Sequence, residues 1–365
     1  MRHGSAHRIT TALAVVLAAV LLAAGIPAGA APSDRARPVR VMTRNLYLGA
    51  DLQPAIDART VPEVLAAGAH IWSVVQQTDF PERAVALARE IAEANPVLLG
   101  LQEAAVWYSG PLGDPAPATT VEYDFIQILL AELEAAGAPY DAVVVQDEAD
   151  LESPAGAPYF RDFRLVQRDA ILVKRVGRVV SLSNARSANF ATALTIPTGA
   201  GQTILVKRGW TSVDATVKRR TFRFVNTHLE AFHPLIRLGQ ALELVAPTGP
   251  IGSAPEDVVL VGDLNTGPEL PVPANRLAFQ ALQAAGMVDT WRVLHPDDPG
   301  YTSGFGELLD EPLEGALEHR VDHVMVRGDV GLVRSWITGT DPAERTAGGM
   351  WPSDHAGVVA VVTPS

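Results

Sequence analysis

The sequence of 365 residues contains no cysteine, which excludes a thiol nucleophile, a thiolate metal site and a disulfide framework. Basic residues are in the minority: 29 lysines and arginines stand against 41 aspartates and glutamates, and the formal net charge is -12. This balance argues against a nucleic-acid clamp that relies on a basic face, although it leaves local phosphate contacts open. An acidic chain suits a site that concentrates carboxylates around a cation.

Long apolar runs are scarce, and the one that stands out covers residues 9–26. Arg2 and Arg8 precede this run and Ala28-Gly29-Ala30 follows it, which is the order of a secretory signal peptide cleaved near Ala30. A membrane anchor is the alternative, because a run of this length could span a bilayer. We predict a secreted protein with a signal peptide over residues 1–30, a disordered leader over 31–38 and a single folded domain over 39–365.

The domain is expected to be an α/β (α+β) protein, because apolar strand-like runs are mixed with amphipathic helical segments. No period of 20–50 residues recurs, and no linker divides the chain. Strands outnumber helices, which favours a sandwich of two mostly antiparallel β-sheets with helices outside. Residues 147–164 are predicted to form a surface loop that borders a cleft, and residues 301–318 to form a second long loop.

The most informative stretch is residues 257–268. Its apolar run ends abruptly at Gly262, which predicts a short strand buried on both faces. Asp263 and Asn265 follow, and because they are two residues apart their side chains point the same way in an extended backbone. A carboxylate beside an amide suits a phosphoryl site, which needs a charged base or metal ligand next to a neutral donor. The alternative is that both residues merely cap the loop.

Polar residues stand at the ends of other apolar strands as well. Asn45 closes residues 39–47, Glu103 closes residues 97–103, and His228 follows an in-phase Asn226 in residues 221–230. Each has a structural alternative, such as an edge amide, an ion-paired carboxylate or a core imidazole. Further polar residues stand where later strands begin: Arg168, Asp169, Asp322, Asp354 and His355. For Arg168 and Asp169 a surface ion pair is the more common arrangement.

The repetition of this pattern leads us to expect one shared rim of the sheets. The side chains expected there are the carboxylates, imidazoles and amides of Glu103, Asp263, Asp322, Asp354, His228, His355, Asn45 and Asn265. Oxygen-rich ligation without sulfur suits Mg²⁺, Mn²⁺ or Ca²⁺ better than a structural zinc. A zinc site is also disfavoured because the sequence has no HExxH motif and no cysteine pair.

Six motifs, in order along residues 39–363, resemble those of the endonuclease/exonuclease/phosphatase superfamily, which has the DNase I-like fold. They are Asn45, Leu101-Gln102-Glu103, Asn226-Thr227-His228, Gly262-Asp263-Leu264-Asn265, Arg320-Val321-Asp322-His323 and Ser353-Asp354-His355. The resemblance implies a four-layer sandwich, a catalytic domain over residues 39–365 with its site at one rim of the sheets, and a hydrolase of phosphoric ester bonds that depends on a divalent metal. It does not specify the substrate.

The resemblance also implies roles for the metal ligands and the base. Glu103 would bind the divalent ion, expected to be Mg²⁺ with Mn²⁺ or Ca²⁺ as alternatives. Asn45 and Asp354 would complete the coordination or support it. Asp263 would orient and deprotonate the attacking water, and Asn265 would hold a phosphate oxygen.

The remaining roles concern hydrogen bonds to the phosphoryl group. His228 and His355 would donate to the pentavalent transition state, and Asp322 would fix the tautomer of His355 and raise its pKa. Asn226 and Arg168 are assigned to phosphate binding. Asp169 is assigned to a supporting position behind these groups.

Several substrates and functions stay open. A phosphodiester lipid, cleaved as by a sphingomyelinase or a phospholipase C, is favoured by export, by acidity and by the loop 301–318, whose Tyr301, Phe305, Leu308 and Leu309 could touch a membrane surface. The alternatives are a DNase-like extracellular endonuclease, a phosphomonoesterase or a non-catalytic binding module of the same fold. A nuclease would be expected to show a basic patch interleaved with aromatic residues. No obligate protein partner is inferred, and a monomer is expected.

Overall fold

The computed structural model describes residues 37–177, 179–198, 201, 203–254, 257–313 and 315–365. The predicted signal peptide, residues 1–30, and most of the predicted leader lie outside these residues. Within the described ranges, no helix combines the length and the apolar character that crossing a bilayer requires.

Most of the helices begin after a residue whose side chain accepts a hydrogen bond from a free backbone N–H of the first turn. The helices are α1 (Gln53–Asp57), α2 (Val61–Gln77), α3 (Phe80–Ala94), α4 (Phe125–Ala135), α5 (Pro234–Val245), α6 (Leu277–Ala284) and α7 (Thr290–Leu294). Before α2, the Thr60 hydroxyl accepts from the N–H of Glu63 while the Glu63 carboxylate accepts from the N–H of Thr60, which is a capping box. Asn95 ends α3 in a left-handed conformation, with φ of 52°, directly before a proline.

The strands form two large sheets and one small hairpin. They are β1 (Val39–Asn45), β2 (Leu98–Gln102), β3 (Val106–Pro111), β4 (Thr120–Asp124), β5 (Tyr140–Ala155), β6 (Arg161–Lys174), β7 (Ser181–Asn189), β8 (Leu194–Pro197), β9 (Thr203–Val206), β10 (Gly209–Val217), β11 (Arg220–His228), β12 (Val258–Asp263), β13 (Val288–Asp289), β14 (Asp322–Arg327), β15 (Val330–Thr338) and β16 (Gly357–Pro364). The first sheet has the order β15-β16-β1-β2-β6-β3-β4, with β5 also paired to β6, and the second has the order β13-β14-β12-β11-β10-β7. Strands β8 and β9 pair with each other.

The register of the strands brings several predicted site residues to one rim. In the second sheet, parallel β11 and β12 place His228 beside Asp263, and antiparallel β14 places Asp322 opposite Asp263. In the first sheet, parallel β1 and β2 place Asn45 beside Gln102. The carboxyl ends of these parallel strands and the start of β14 therefore lie at the same edge.

Three apolar layers separate four layers of secondary structure. Strand residues alternate between faces, so that Val259 and Val261 pack toward the first sheet while Val258 and Leu260 pack toward α5 and α6. Helices α2, α3 and α4 cover the outer face of the first sheet. The predicted α/β sandwich, with two mostly antiparallel sheets flanked by helices, is confirmed.

Of the two predicted loops, residues 147–164 mostly form strands, whereas residues 301–318 form a loop as predicted, with Tyr301 and Leu308 exposed. Residues 147–164 are mostly the strand hairpin of β5 and β6, because backbone pairing between these strands continues to Ala155 and Arg161. In residues 301–318, Phe305 and Leu309 are buried, and Phe305 stacks on Trp351 with ring centroids 4.6 Å apart. These two side chains therefore hold the loop on the domain and do not form a membrane-contacting surface.

Gly100 allows the two sheets to approach each other beside the site. A Cβ at this position would lie 2.4 Å from Oδ1 of Asn226 and 2.5 Å from Cγ2 of Val261. We predict that Gly100→Ala lowers the free energy of unfolding by about 1–3 kcal/mol, as overpacking of a filled core does. Urea denaturation monitored by tryptophan fluorescence measures this change. If the urea midpoint and slope of Gly100→Ala are unchanged, the two sheets can move apart without a loss of free energy of unfolding.

Candidate active site

The carboxylate of Asp263 lies at the centre of the site, buried at the end of β12. Its Oδ2 accepts a hydrogen bond from Nδ2 of Asn45 at 3.2 Å, and its Oδ1 accepts one from the backbone N–H of Asn265 at 2.9 Å. Burial raises the pKa of Asp263 to about 6, against the opposing effect of the charge on His355. Asp263 is therefore a base whose strength suits proton transfer near neutral pH.

Two imidazoles flank Oδ2 of Asp263, with Nε2 of His228 at 3.4 Å and Nε2 of His355 at 3.8 Å. Nδ1 of His355 lies 2.7 Å from Oδ2 of Asp322. Burial opposes a charge on His355, but the carboxylates of Asp322, Asp354 and Asp263 outweigh this effect and hold its pKa well above the usual range. His355 is therefore a cation at neutral pH, with one N–H donated to Asp322.

His228 has the opposite electrostatic environment. Its Nδ1 lies 2.9 Å from Nη1 of Arg208, and 1% of its surface is exposed. Burial first, and then the charges of Arg208 and His355, hold the pKa of His228 well below the usual range. The site thus combines a charged imidazole with a neutral one.

Glu103 and Asp354 present carboxylates to the same cleft. Oε2 of Glu103 accepts from the backbone N–H of Leu48 at 2.8 Å, and Oδ1 of Asp354 accepts from the Ser353 hydroxyl at 3.3 Å. Burial, and next the charge of Asp354, raise the pKa of Glu103, and burial also raises the pKa of Asp354. Neighbouring oxygen donors with unbalanced negative charge fit a hard divalent cation.

Both the nitrogen and the oxygen of the Asn45 side-chain amide form hydrogen bonds in this region. Its Nδ2 donates to Asp263, and its Oδ1 accepts from the backbone N–H of Tyr47 at 2.8 Å. A carbonyl oxygen has two lone pairs, so one remains for a cation. Asp263, Asp322 and His355 also offer ligand atoms within 4.8 Å of one another, although Nδ1 of His355 and Oδ2 of Asp322 are already bonded to each other.

The backbone is strained at three positions of the site. Tyr47, Glu103 and Asn265 have φ of 57°, 55° and 48°, in the left-handed region that non-glycine residues rarely adopt. A side-chain acceptor compensates at two of these positions, because Asn45 binds the N–H of Tyr47 and Asp263 binds the N–H of Asn265. Strain of this kind persists only where the surrounding structure holds it, and it is concentrated at functional sites.

Two buried arginines, which the sequence patterns did not single out, hold the segment that carries Asp354 and His355. Arg83 donates to the backbone carbonyls of Leu46 at 2.6 Å and Pro352 at 3.0 Å. Arg44 donates to the backbone carbonyl of His355 and forms an ion pair with Glu90 at 3.0 Å. Arg44 is recognisable in the sequence as a basic residue inside an apolar strand, but its partners are distant in the chain.

The two residues predicted to bind phosphate have protein partners instead. Nδ2 of Asn226 donates to the carbonyl oxygens of Leu101 and Ala170, and its Oδ1 accepts from Gln102 at 2.6 Å, so its amide links the two sheets. Arg168 forms an ion pair with Asp124 at 2.5 Å and donates to the carbonyl of Ala104. Neither side chain is directed at the group around Asp263.

A cleft of about 880 Å³ opens over the site. One part of its lining is apolar, and there Trp72 stacks on Phe163 with ring centroids 4.1 Å apart. Its charged lining is mostly acidic and consists of Asp51, Glu103, Asp150, Glu152, Asp263, Glu307 and Asp354, with Lys207, Arg208 and His355 as the basic members. The hairpin of β5 and β6 forms part of the wall, so residues 149–154 border the cleft as predicted, although as strand and not as loop.

A family model decides how this constellation is classified. The model of the Endonuclease/Exonuclease/phosphatase family matches residues 72–355, which is more than half of the chain. The chain belongs to this family. The matched region contains Glu103, Asp263 and His355, and the resemblance that the motifs indicated is confirmed. Members of this family are metal-dependent hydrolases of phosphoester bonds, and carboxylates with imidazoles are the groups this chemistry uses.

Solved structures of family members have the same fold at low sequence identity. A protein of this family from Bacteroides thetaiotaomicron is 14% identical, with a TM-score of 0.57 over 91% of this chain and 99% of the other. TDP2 from D. rerio, in complex with a single-strand DNA product, is 14% identical, with a TM-score of 0.53 over 89% and 99%. A mannosyl-6-phosphatase from Bacteroides thetaiotaomicron is 15% identical, with a TM-score of 0.52 over 89% and 99%. No curated protein matches the sequence.

Proposed function

We propose that the protein is a secreted, divalent-metal-dependent phosphodiesterase whose substrate carries an apolar group next to the phosphate. The observation that carries the activity is the position of Asp263, a buried base held by Asn45 and Asn265 between a neutral and a charged imidazole. Secretion is proposed from the sequence of residues 1–30.

In this proposal Glu103, Asp354 and Asn45 hold a Mg²⁺ ion. When bound, the ion would neutralise negative charge on a non-bridging phosphate oxygen and on the leaving oxygen. Asp263 removes a proton from the attacking water, and His355 donates from its charged ring as negative charge develops on the phosphoryl oxygens. The apolar walls of the cleft exclude water from these groups, which strengthens each electrostatic contact.

The lining of the cleft supports an apolar substrate over a nucleic acid. Leu205 and Phe232, which line the cleft and are exposed by 46% and 57%, provide an apolar surface that a substrate can contact. A nucleic acid would bring several phosphates toward acidic residues such as Asp51, Glu152 and Glu307, which repel them. A phosphodiester lipid with a zwitterionic head group, such as sphingomyelin, avoids this repulsion because it carries no net charge.

A comparison of substrates tests the proposal. We expect hydrolysis of bis-p-nitrophenyl phosphate with Mg²⁺ and none with EDTA, and faster hydrolysis of sphingomyelin liposomes than of plasmid DNA. p-Nitrophenyl phosphate, a monoester, is the control for phosphomonoesterase activity. Faster cleavage of DNA would replace the lipid proposal by the nuclease alternative, and inactivity on every phosphoester would favour the non-catalytic binding module.

The carboxylate of Glu103 is expected to set the metal requirement. We predict that Glu103→Gln raises the Mg²⁺ concentration for half-maximal rate by roughly tenfold to a hundredfold, because an amide is a weaker ligand for a hard cation than a carboxylate. Titration of the rate with MgCl₂ after removal of metal by EDTA measures this change. Glu307→Gln is the matched control, because Glu307 also lines the cleft and, like Glu103, accepts a hydrogen bond from a backbone N–H, but it is not assigned to the metal. Equal Mg²⁺ requirements in the two variants would contradict the assignment.

A further inference from the structure

Arg208 contacts the site from a position that none of the strand-end motifs includes. It lies between β9 and β10 with 5% of its surface exposed, and its Nη1 is 2.9 Å from Nδ1 of His228. The same Nη1 is 3.7 Å from Oε2 of Glu148, a buried carboxylate of β5. Arg208 therefore joins the β5–β6 wall of the cleft to one of the two imidazoles.

The chemistry of this contact fixes the tautomer of His228. A guanidinium group has donors and no acceptor, so Nδ1 of His228 must accept the hydrogen bond through its lone pair. The proton of the neutral ring then resides on Nε2, the atom that lies 3.4 Å from Oδ2 of Asp263. The ring consequently presents an N–H to the centre of the site.

Two buried carboxyl groups, those of Glu148 and Asp169, lie in the region of Arg208 and His228. Glu148, Asp169 and His228 offer ligand atoms that lie within 4.8 Å of one another. Neither oxygen of Asp169 has a hydrogen-bond partner among the described residues, and Asp169 is fully buried. Burial is the largest cause that raises the pKa of both carboxyl groups, and the charge of Arg208 opposes it in each. Arg208 is thus the cation that lies between these two buried carboxyl groups and His228.

We propose that Arg208 is a positioning residue, which holds His228 as a neutral ring with its proton on Nε2, so that His228 donates a hydrogen bond to the phosphoryl group and never acts as a proton carrier. The two imidazoles then differ in role because different residues contact their Nδ1 atoms. Nδ1 of His355 lies against the carboxylate of Asp322, whereas Nδ1 of His228 lies against the guanidinium of Arg208. The catalytic part of this inference rests on the proposed phosphodiesterase function, but the tautomer does not.

The tautomer can be observed directly by ¹⁵N NMR of the protein with labelled histidine, with the His228 signals assigned by their loss in His228→Gln. The charged and titratable groups that face His228 are Arg208, Glu148, Asp169, Asp263 and His355. In the wild type we expect protonated Nε2, unprotonated Nδ1 and no titration of His228 from about pH 5 to pH 8. In Arg208→Met we expect a mixture of tautomers and a titration within this range.

The rates provide a second readout. With bis-p-nitrophenyl phosphate and Mg²⁺, we expect Arg208→Met to lower kcat by roughly tenfold to a hundredfold while KM stays nearly constant, because the loss is in orientation of a donor. Arg223→Met is the matched control, since Arg223 is also buried and pairs with Asp214 at 2.7 Å in the same sheet without touching His228. We expect this control to leave the His228 signals unchanged.

Several results would overturn the proposal. One is a wild-type His228 that is protonated on Nδ1 or that titrates in this range, and this result is available even if Arg208→Met does not fold. Another is an unchanged His228 tautomer in a folded Arg208→Met protein. If no substrate is hydrolysed, the proposed function fails but the NMR result still decides whether Arg208 sets the tautomer.

Discussion

Replacing Asp263 by asparagine is expected to lower the turnover of a phosphodiester by about 10²–10⁴-fold, the range that a positioned general base contributes. The amide oxygen can still accept the hydrogen bond from the backbone N–H of Asn265, whereas the NH₂ group cannot accept the bond that Asn45 donates to Asp263. The amide cannot accept a proton from water. The measurement is kcat with bis-p-nitrophenyl phosphate and saturating Mg²⁺, compared with Asp51→Asn, a carboxylate that lines the same cleft at its exposed edge.

The pH dependence distinguishes loss of the base from a general disturbance. Burial raises the pKa of Asp263 to about 6, so the carboxylate is ionised above this pH and protonated below it. We expect the wild-type rate to fall on the acid side as Asp263 takes up a proton, and the residual rate of Asp263→Asn to lack this limb. Because its folded-state pKa lies above the unfolded value, the charge of Asp263 opposes folding as pH rises from the unfolded to the folded value, and the variant lacks this contribution. A variant that keeps its rate would show that another group is the base.

The sequence predicts the convergence of the site well because strand register determines it. His228, Asp263 and Asp322 each stand at an end of a strand of the second sheet, and pairing of β11, β12 and β14 brings these ends together. Once the apolar runs are recognised as neighbouring strands, no side-chain detail is needed to place these residues at one rim. Asn45 follows by the same argument from the pairing of β1 with β2.

The sequence is less informative where a residue's partner is distant in the chain. Asn226 and Arg168 have the residue types of a phosphate site, but Asn226 meets backbone carbonyls of the opposite sheet and Arg168 meets Asp124. Arg208 has no strand-end pattern, and its contact with His228 depends on the path of the chain between β9 and β10. Side-chain partners of this kind are set by packing between layers, which local periodicity does not encode.

Two parts of the loop predictions were wrong for a related reason, the loop conformation of residues 147–164 and the exposure of Phe305 and Leu309. Residues 147–164 are rich in acidic and small residues, which is typical of a loop, yet pairing of β5 with the buried strand β6 makes most of them strand. In residues 301–318, the buried Phe305 and Leu309 pack with Tyr47 and Trp351, so their apolar character reflects a small core and not an exposed surface. Burial against a partner outweighs local propensity in both segments.

Removal of the His355 imidazole is expected to lower turnover by an amount similar to that of Asp263→Asn. His355→Ala should lower turnover by about 10²-fold or more, because a donor directed at charge that develops in the transition state contributes on the order of 2.7–4 kcal/mol. The ring lies 3.8 Å from Asp263 through Nε2 and 2.7 Å from Asp322 through Nδ1. The measurement is kcat with bis-p-nitrophenyl phosphate, and a loss confined to KM would show that His355 binds the ground state instead.

Asp322→Asn tests whether the charge on His355 matters. Burial opposes this charge, but the carboxylates, with Asp322 first among them, hold the pKa of His355 well above its usual range of about 6.5. A raised pKa keeps the ring protonated as pH rises, so the wild-type rate should persist into the alkaline range and fall only where His355 loses its proton. Without the charge of Asp322 the pKa of His355 drops, and the alkaline limb should move to lower pH while the rate near pH 5 changes less.

Asp214→Asn is the control, because Asp214 is a buried carboxylate of the same sheet that pairs with Arg223. If the alkaline limb of Asp322→Asn stays at the same pH, His355 donates as a neutral ring. The two imidazoles would then not differ in charge.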